Sequence, residues 1–417
     1  LLNFIQMNNG IISKIKTGRI LNIIAALKKH YGVKSMVEIP TTDKMDALCS
    51  ALGLSYHEFD NLIANNSPVL RTVKGHCFEV AFELILAKNK MASLDIGGDN
   101  DIDLLVNGHN LQLKTPNVAG STDFELEYKT HKTHGPKSEV ESMGYYHKVD
   151  DFAEFFVGLI SYIPFRVFII PKEELPRHHV DSRYIKSPFR LNRVSGFYAK
   201  YVNAFHLLGI TVTDIDTTFI ECGDNELLPQ TSNKVGLTTE IILNTILREP
   251  NFRIWDMSIR GFAREIAIQR CLKSFGVRFS DTPNKIKISR GEKADLAVFT
   301  SSDTVFLQVK GISTNNCSFN GINSIIATET QLTRGRVSDH PTQSRLYLST
   351  DFDYLLLALD PPISYVVYGI PNWKIFLIPS TKLKRHYKYK NRYNPMQKFY
   401  AKELLQYDLL QSKSLLL

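Results

Sequence analysis

The sequence predicts an α/β protein: two tandem units, each a mixed central sheet flanked by helices, preceded by an N-terminal helical segment. Three observations predict it. One series of motifs is written twice in the same order. At 417 residues the chain exceeds a typical single core, so two domains are expected. Within each half, segments of helical periodicity alternate with short β-rich runs, the pattern of helices covering a sheet.

The first copy of the series begins at Gly75-His76-Cys77-Phe78-Glu79-Val80-Ala81. It continues through Asp103-Leu104-Leu105-Val106 and Leu111-Gln112-Leu113-Lys114, and ends with Asp151-Phe152 and Ile169-Ile170-Pro171. The second copy runs Gly261-Phe262-Ala263-Arg264-Glu265-Ile266-Ala267, Asp295-Leu296-Ala297-Val298, Leu307-Gln308-Val309-Lys310, Asp351-Phe352 and Leu377-Ile378-Pro379. Spacings differ only by loop-sized amounts, as a tandem duplication would leave them.

Taken in order, residues 1–70 read as helical. Ile20, Ile23, Ile24 and Leu27 recur at helical spacing within 11–33, and Gly32 stops the run. Thr41-Thr42-Asp43 caps a second helix through Leu52, Gly53 turns the chain, and Ser55 caps a third through Ile63. Helix, glycine turn, helix is the outline of a DNA-contacting helix-turn-helix. A small bundle packed on the domain behind it is the alternative, since Asp46, Glu58 and Asp60 leave the segment poor in cations. Residues 71–175 form the first unit, in the order helix, strand, strand, helix, strand. It comprises a buried helix over 77–88, strands over 101–106 and 110–114 around the hairpin turn Asn107-Gly108, and a polar loop over 115–140. An apolar run over 151–161 takes the place of the second helix, and a β-rich run follows over 166–170.

Residues 176–235 are expected to bridge the units. Between 176 and 205 lie Arg177, Arg183, Lys186, Arg190, Arg193 and Lys200 against one acid, Asp181, with Tyr184, Phe189, Phe197 and Tyr198 interleaved. The second unit, 236–383, has helices over 238–247 and 261–275 and strands over 293–299 and 305–310. The tail, 384–417, opens on the most cationic stretch of the chain: Lys384, Arg385, Lys388, Lys390 and Arg392 with Tyr387, Tyr389 and Tyr393 between them. Cations mixed with aromatics suit phosphate contact plus base stacking. The net charge of +8 fits a polyanionic partner without requiring one.

Several classes are disfavoured. Cys49, Cys77, Cys222, Cys271 and Cys317 are scattered, so neither a zinc cluster nor a disulfide framework is expected, and a reducing cytoplasm fits. No apolar stretch approaches the roughly 18–20 residues of a membrane span. The start, Leu1-Leu2-Asn3-Phe4, lacks the features of a secretory signal. No Walker A motif is present, so ATP is not expected as a partner. His131 and His134, with Lys132 and Lys137, belong to the polar loop, and His178-His179 to the bridge.

The repeated residues share one chemistry. Gln112 and Lys114 are two apart on a strand and project side by side, on a face that Asp103 shares across the hairpin. Phosphodiester hydrolysis needs an aimed hydroxide and charge relief at phosphate oxygens, and magnesium with hard oxygen ligands supplies both. Asp103 is then the metal ligand, the Gln112 carbonyl a neutral second ligand, and Lys114 the group that orients or deprotonates water. Glu79 reaches the metal from the buried helix. Asp295, Gln308, Lys310 and Glu265 take the same roles in the second copy.

This arrangement resembles the PD-(D/E)XK nuclease superfamily over roughly 73–175 and 258–383. More narrowly, it resembles the members with Q-x-K sites, which include methylation-dependent restriction nucleases and a homing-endonuclease branch. The departure is Gln112, and again Gln308, in place of the usual acid. The resemblance implies two restriction-endonuclease-like domains, Mg2+ as cofactor with Mn2+ as an accepted substitute, and double-stranded DNA as partner. It implies a type II-like restriction endonuclease, monomeric as a pseudo-dimer or homodimeric, with one nuclease unit for each DNA strand. A homing or repair endonuclease, or a DNA-binding module on a decayed nuclease fold, is the alternative. Arg183, Lys186, Arg190, Arg193, Lys384, Arg385, Lys388, Lys390 and Arg392 are the expected DNA contacts. If only one site works, the first is favoured, because Glu83, Asp95, Asp99 and Asp101 crowd it with acids.

Overall fold

The computed structural model describes residues 20–96, 102–116, 123–124, 126, 147–192, 196–210, 215–223, 225–248, 254–281, 294–301, 303–331 and 345–417. The chain divides into two compact units. One is continuous, Asp60–Ile254; the other is split, Leu1–Phe59 with Trp255–Leu417. The expected boundaries at 70, 175, 235 and 383 do not coincide with this division. Residues before 60 belong with the C-terminal half, and the expected bridge belongs to the middle unit.

Three helices open the chain: α1 (Ile20–Tyr31), α2 (Thr41–Leu52) and α3 (Tyr56–Asn65). Gly53 ends α2 in the left-handed conformation, φ 60°, which a residue without a β-carbon adopts at no steric cost. The turn is fixed from within the split unit. The Trp373 indole Nε1 donates to the Leu52 carbonyl at 2.6 Å, and Arg270 pairs with Glu58. Met45, Leu48, Leu52 and Phe59 are buried. These contacts are those of a packed helical pair, and they use Glu58, a residue that a DNA-facing surface would have to hold against phosphate.

In the middle unit, α4 (Ser67–Lys88) starts from the Asn66 cap and carries Pro68 in its first turn. Val73, Cys77, Ala81 and Ile85 recur every four residues and are fully buried, so this stripe seats the helix. The strands are β1 (Ser93–Asp95), β2 (Leu104–Val106), β3 (His109–Lys114), β4 (Asp123–Phe124), β5 (Phe155–Tyr162), β6 (Phe165–Pro171) and β7 (Phe189–Arg190), followed by helices α5 (Pro229–Val235) and α6 (Thr239–Ile246). The split unit continues with α7 (Arg260–Ser274), β8 (Arg278–Ser280), β9 (Leu296–Phe299), β10 (Thr304–Lys310), β11 (Ile325–Glu329), β12 (Tyr354–Leu359), α8 (Pro361–Tyr368), β13 (Lys374–Pro379), β14 (Met396–Tyr400), α9 (Ala401–Leu404) and α10 (Leu409–Ser412). The fold is therefore mixed α/β, as expected. No helix among the described residues is long and apolar enough to cross a membrane.

Each unit holds a five-stranded mixed sheet, ordered β1-β2-β3-β5-β6 in the middle unit and β8-β9-β10-β12-β13 in the split unit. All neighbours are antiparallel except β3 with β5 and β10 with β12, which are parallel. Order and polarity are the same in both sheets. The register also agrees at the motif: Gln112 stands beside Phe156 and Lys114 beside Gly158, as Gln308 stands beside Leu355 and Lys310 beside Leu357. Asn107 and Gly108 both take positive φ, the two-residue turn that matches strand twist.

Two expectations are corrected. The apolar run over 151–161 is not a helix. Phe155–Tyr162 is an inner strand with both faces largely buried. Burial on both faces removes the alternation that marks a strand, so periodicity does not separate it from a buried helix. The expected basic aromatic bridge over 176–205 also supplies part of a core. Leu175, Ile185, Phe189, Leu191 and Tyr201 enter one core cluster with Phe124, Phe156 and Phe168, so part of the expected stacking surface is interior.

The repeat also runs further than the motifs. After β6, Arg177 bridges to Ile185, the His178 amide donates to the Tyr184 carbonyl (2.9 Å), and the Lys186 amide donates to Pro176 (2.7 Å). After β13, Arg385 bridges to Tyr393, the His386 amide donates to Arg392 (2.8 Å), and the Asn394 amide donates to Lys384 (2.9 Å). Leu175-x-Arg177-His178 and Leu383-x-Arg385-His386 thus open equivalent clips. The bridge and the tail thus each open on the same clip and belong to their own units.

Gly158 provides a test of the strand assignment. A β-carbon there would lie 2.7 Å from the Phe156 ring and 2.8 Å from the Phe124 ring. Gly158→Ala should cost about 1–3 kcal/mol of stability by overpacking, read as a lower midpoint in urea unfolding.

Candidate functional site

The middle unit builds its site on the β2–β3 hairpin. The Asp103 amide donates to the Leu111 carbonyl (2.9 Å), which sets Asp103 opposite Gln112. The Leu113 amide and the Gln112 side-chain amide both donate to Asp103 Oδ2, the first at 2.7 Å. Burial pushes the Asp103 carboxyl up to about 6, against the pull of Lys114, and Glu79 on α4 adds to the rise. Glu79 itself is hydrogen-bonded to His76 Nδ1 at 2.9 Å. Burial works against the His76 imidazolium, but Glu79 and Asp103 outweigh it and hold the ring above its ordinary value.

The split unit repeats this geometry. The Asp295 amide donates to the Leu307 carbonyl (3.0 Å), and the Val309 amide donates to Asp295 Oδ2 (2.8 Å) beside the Gln308 side-chain amide. Gln308 Oε1 is buried with no hydrogen-bond partner. Lys310 Nζ donates to the Tyr347 hydroxyl at 3.2 Å. Burial pushes Glu265 up to about 7, with Asp295 adding to it, and Asp295 is itself raised. Burial holds the Lys310 ammonium below its ordinary value, and Asp295 opposes that. Burial also raises the Tyr347 phenol, so it stays protonated.

Each unit therefore brings its Asp and Gln into direct contact, with its Lys and Glu close enough to act on the Asp charge. Among the described residues no group of three or more His, Cys, Asp or Glu is placed to hold a metal ion. The donor set is two carboxylates and an amide oxygen. That fits magnesium, which is commonly held by one or two protein carboxylates with water and substrate phosphate completing its shell. The unpartnered Gln308 Oε1 fits the same set, because a buried carbonyl without a donor is costly unless something accepts its lone pairs.

Three residues escape the sequence reading. Arg248 is one: it forks onto Glu83 (2.9 and 3.0 Å) and reaches Asp95 (2.7 Å). Two of the acids that singled out the first site are thus committed to an ion-paired cluster, and Asp99 and Asp101 lie outside the described residues. Tyr347 is the second. It stands four residues before Asp351, as His147 stands four before Asp151, and both rings pack edge-on against the following Phe. The position repeats but the side chain does not, so no motif marks it. His76 is the third, a helix turn ahead of Glu79 with no counterpart at Phe262.

Of the expected DNA contacts, Arg183 is paired with Asp181 and Arg190 with Asp123, although both guanidinium groups remain largely exposed. Arg392 donates to the Leu346 carbonyl, and Arg385 lies over the Tyr393 ring at 4.6 Å. Lys186, Lys384, Lys388 and Lys390 are exposed. Lys384 and Lys398 line a cavity of ≈ 420 Å³ with Asn316, Asn394 and Met396. Arg193, His131, Lys132, His134 and Lys137 lie outside the described residues. No protein-family model, curated protein or solved structure matches the chain.

Two outcomes are expected. Arg248→Met strands two carboxylates and should cost about 1–3 kcal/mol in urea unfolding. For Asp103, a raised native value means that the folded state binds the proton more tightly than the unfolded chain. Stability then falls as pH rises from the ordinary carboxylate range through about 6. Asp103→Asn should therefore stabilise the protein by about 1–3 kcal/mol at neutral pH and by little near pH 4, with unfolding measured at both.

Proposed function

We propose that this chain is a metal-dependent endonuclease acting on double-stranded DNA, closest in character to a type II-like restriction endonuclease that carries both nuclease units in one polypeptide. One observation supports it most: the same Asp clamp, with Gln on the same oxygen and Lys two residues on, is built twice on sheets of the same order. A surface Asp and a stray Lys have no reason to recur with hydrogen bonds that agree so closely.

The residues divide the work as follows. Asp103 with Glu79 and Gln112, and Asp295 with Glu265 and Gln308, would hold magnesium, which when bound supplies charge relief at the phosphate and a more acidic water. The backbone N–H and the Gln amide fix each Asp by one oxygen and leave the other for a ligand. Lys114 and Lys310 offset phosphate charge and position the attacking water. In the split unit the depressed Lys310 ammonium releases its proton more readily, which suits exchange with that water. The exposed lysines after β13, with Tyr387 fully open beside them, give a polyanion a sequence-independent hold.

Plasmid cleavage with Mg2+ tests this. Wild type should linearise supercoiled DNA, Lys114→Ala and Lys310→Ala should each only nick, and the double variant should be inert, each loss being at least about 100-fold. Tight binding without any cleavage, on methylated and unmethylated DNA alike, would replace the nuclease with a DNA-binding module.

A further inference from the structure

Arg264 occupies the helix position that the middle unit gives to Phe78, one residue ahead of the site glutamate. Its Nε is buried with no hydrogen-bond partner. The neighbouring cation is accounted for: Arg260, one turn earlier, is locked to Asp360 and to Asp256. Arg264 feels the charges of Glu265 and Asp295 without an ion pair to either among the described residues. Room for it is made at Gly311, where a β-carbon would overlap the guanidinium. The middle unit has Thr115 at that place. Arginine and glycine therefore occur as a matched pair in one unit, and phenylalanine and threonine in the other.

Gly311 directly follows Lys310, so the guanidinium lies against the backbone that carries the site ammonium. Burial holds the Lys310 ammonium below its ordinary value, and the charge of Arg264 adds to that. Burying a guanidinium without a hydrogen bond at Nε costs stability, which the charges of Asp360, Glu265 and Asp295 offset only in part. The Tyr347 hydroxyl completes the group. It accepts from Lys310 and so has its own proton free to donate. A planar fork beside Gly311, with the ammonium of the residue before it in contact with a hydroxyl, supplies the donors that a tetrahedral oxyanion takes.

We infer that Arg264, Lys310 and Tyr347 form a phosphate-binding subsite confined to the split unit, with Arg264 gripping the non-bridging oxygens. This rests on reading the Asp295–Lys310 cluster as a phosphodiester site, yet it is testable without cleavage. The two units are then unequal: the split unit holds a phosphate group by protein cations alone, and the middle unit does not.

Titrating the full chain with inorganic phosphate, free of metal, by calorimetry and phosphorus NMR gives the test. Arg264→Met should weaken phosphate binding at least tenfold while the thermal midpoint holds or rises, since an unpaired charge has been removed. Gly311→Ala should weaken it similarly with no charge changed, because the added methyl displaces the guanidinium. Lys273→Ala, which removes an exposed cation at the end of α7, should leave phosphate binding intact. Unchanged affinity in Arg264→Met, or no phosphate binding by wild type, overturns the subsite. Plasmid assays keep the two ideas apart. Phosphate binding that depends on Arg264, in a protein that never cuts DNA, keeps the subsite and sinks the nuclease. Cleavage that needs Lys310 but ignores Arg264→Met, with phosphate affinity also unchanged, does the reverse.

Discussion

A carboxylate buried at the end of a strand must be hydrogen-bonded or it destabilises the fold. In both units that requirement is met by the next strand: the Leu113 or Val309 amide and the Gln112 or Gln308 side chain converge on one Asp oxygen. The same bonds fix the hairpin register. A slip of one residue would turn Gln and Lys to the opposite face and leave the carboxylate bare. Local folding and site assembly are thus one event. The parallel neighbours, β5 and β12, pair with the strands whose facing these bonds fix.

Crowded charge is handled differently in the two units. In the middle unit Arg248 neutralises Glu83 and Asp95, and His76 attends Glu79, so among the described residues these three carboxylates each have a dedicated partner. In the split unit Glu265 lacks such a partner among the described residues, and its carboxyl is pushed up to about 7. The cation nearby, Arg264, carries no ion pair among the described residues. The one arrangement keeps its charges internally satisfied around a single poised Asp. The other holds charge of both signs without dedicated partners among the described residues, together with the buried Gln308 Oε1, which is the more expensive native state.

What the sequence made legible was local. Asn107-Gly108, the two-residue spacing of Gln and Lys, and the four-residue stripe of α4 are short-range signals whose physics lies within a few residues. What it hid was non-local. Arg248 meets Asp95 across 153 positions, and no motif joins an arginine to a carboxylate at that separation. The strand over Phe155–Tyr162 was hidden by being buried on both faces. The clips after β6 and β13 were hidden because their bonds are made by backbone amides, which leave no residue signature beyond Leu-x-Arg-His. Basic residues were easy to find and hard to interpret, since composition does not show which cations already have partners.

That last point decides how the cationic segments differ. The clips share their backbone bonds, so both were built to the same plan, but their charges were spent differently. After β6, Arg183 and Arg190 fork onto Asp181 and Asp123, and Ile185 turns inward to the core. After β13, no acid stands within the clip, Tyr393 takes the inward position, and Tyr387 stays exposed with lysines on either side. Exposed ion pairs contribute little stability, so pairing in the first clip mainly cancels its field. The second clip keeps its field. Long-range attraction for a polyanion therefore concentrates in the split unit, the unit that also carries Arg264. The split unit thus differs from the middle unit twice over, in the uncancelled charge of its clip and in the guanidinium beside its clamp.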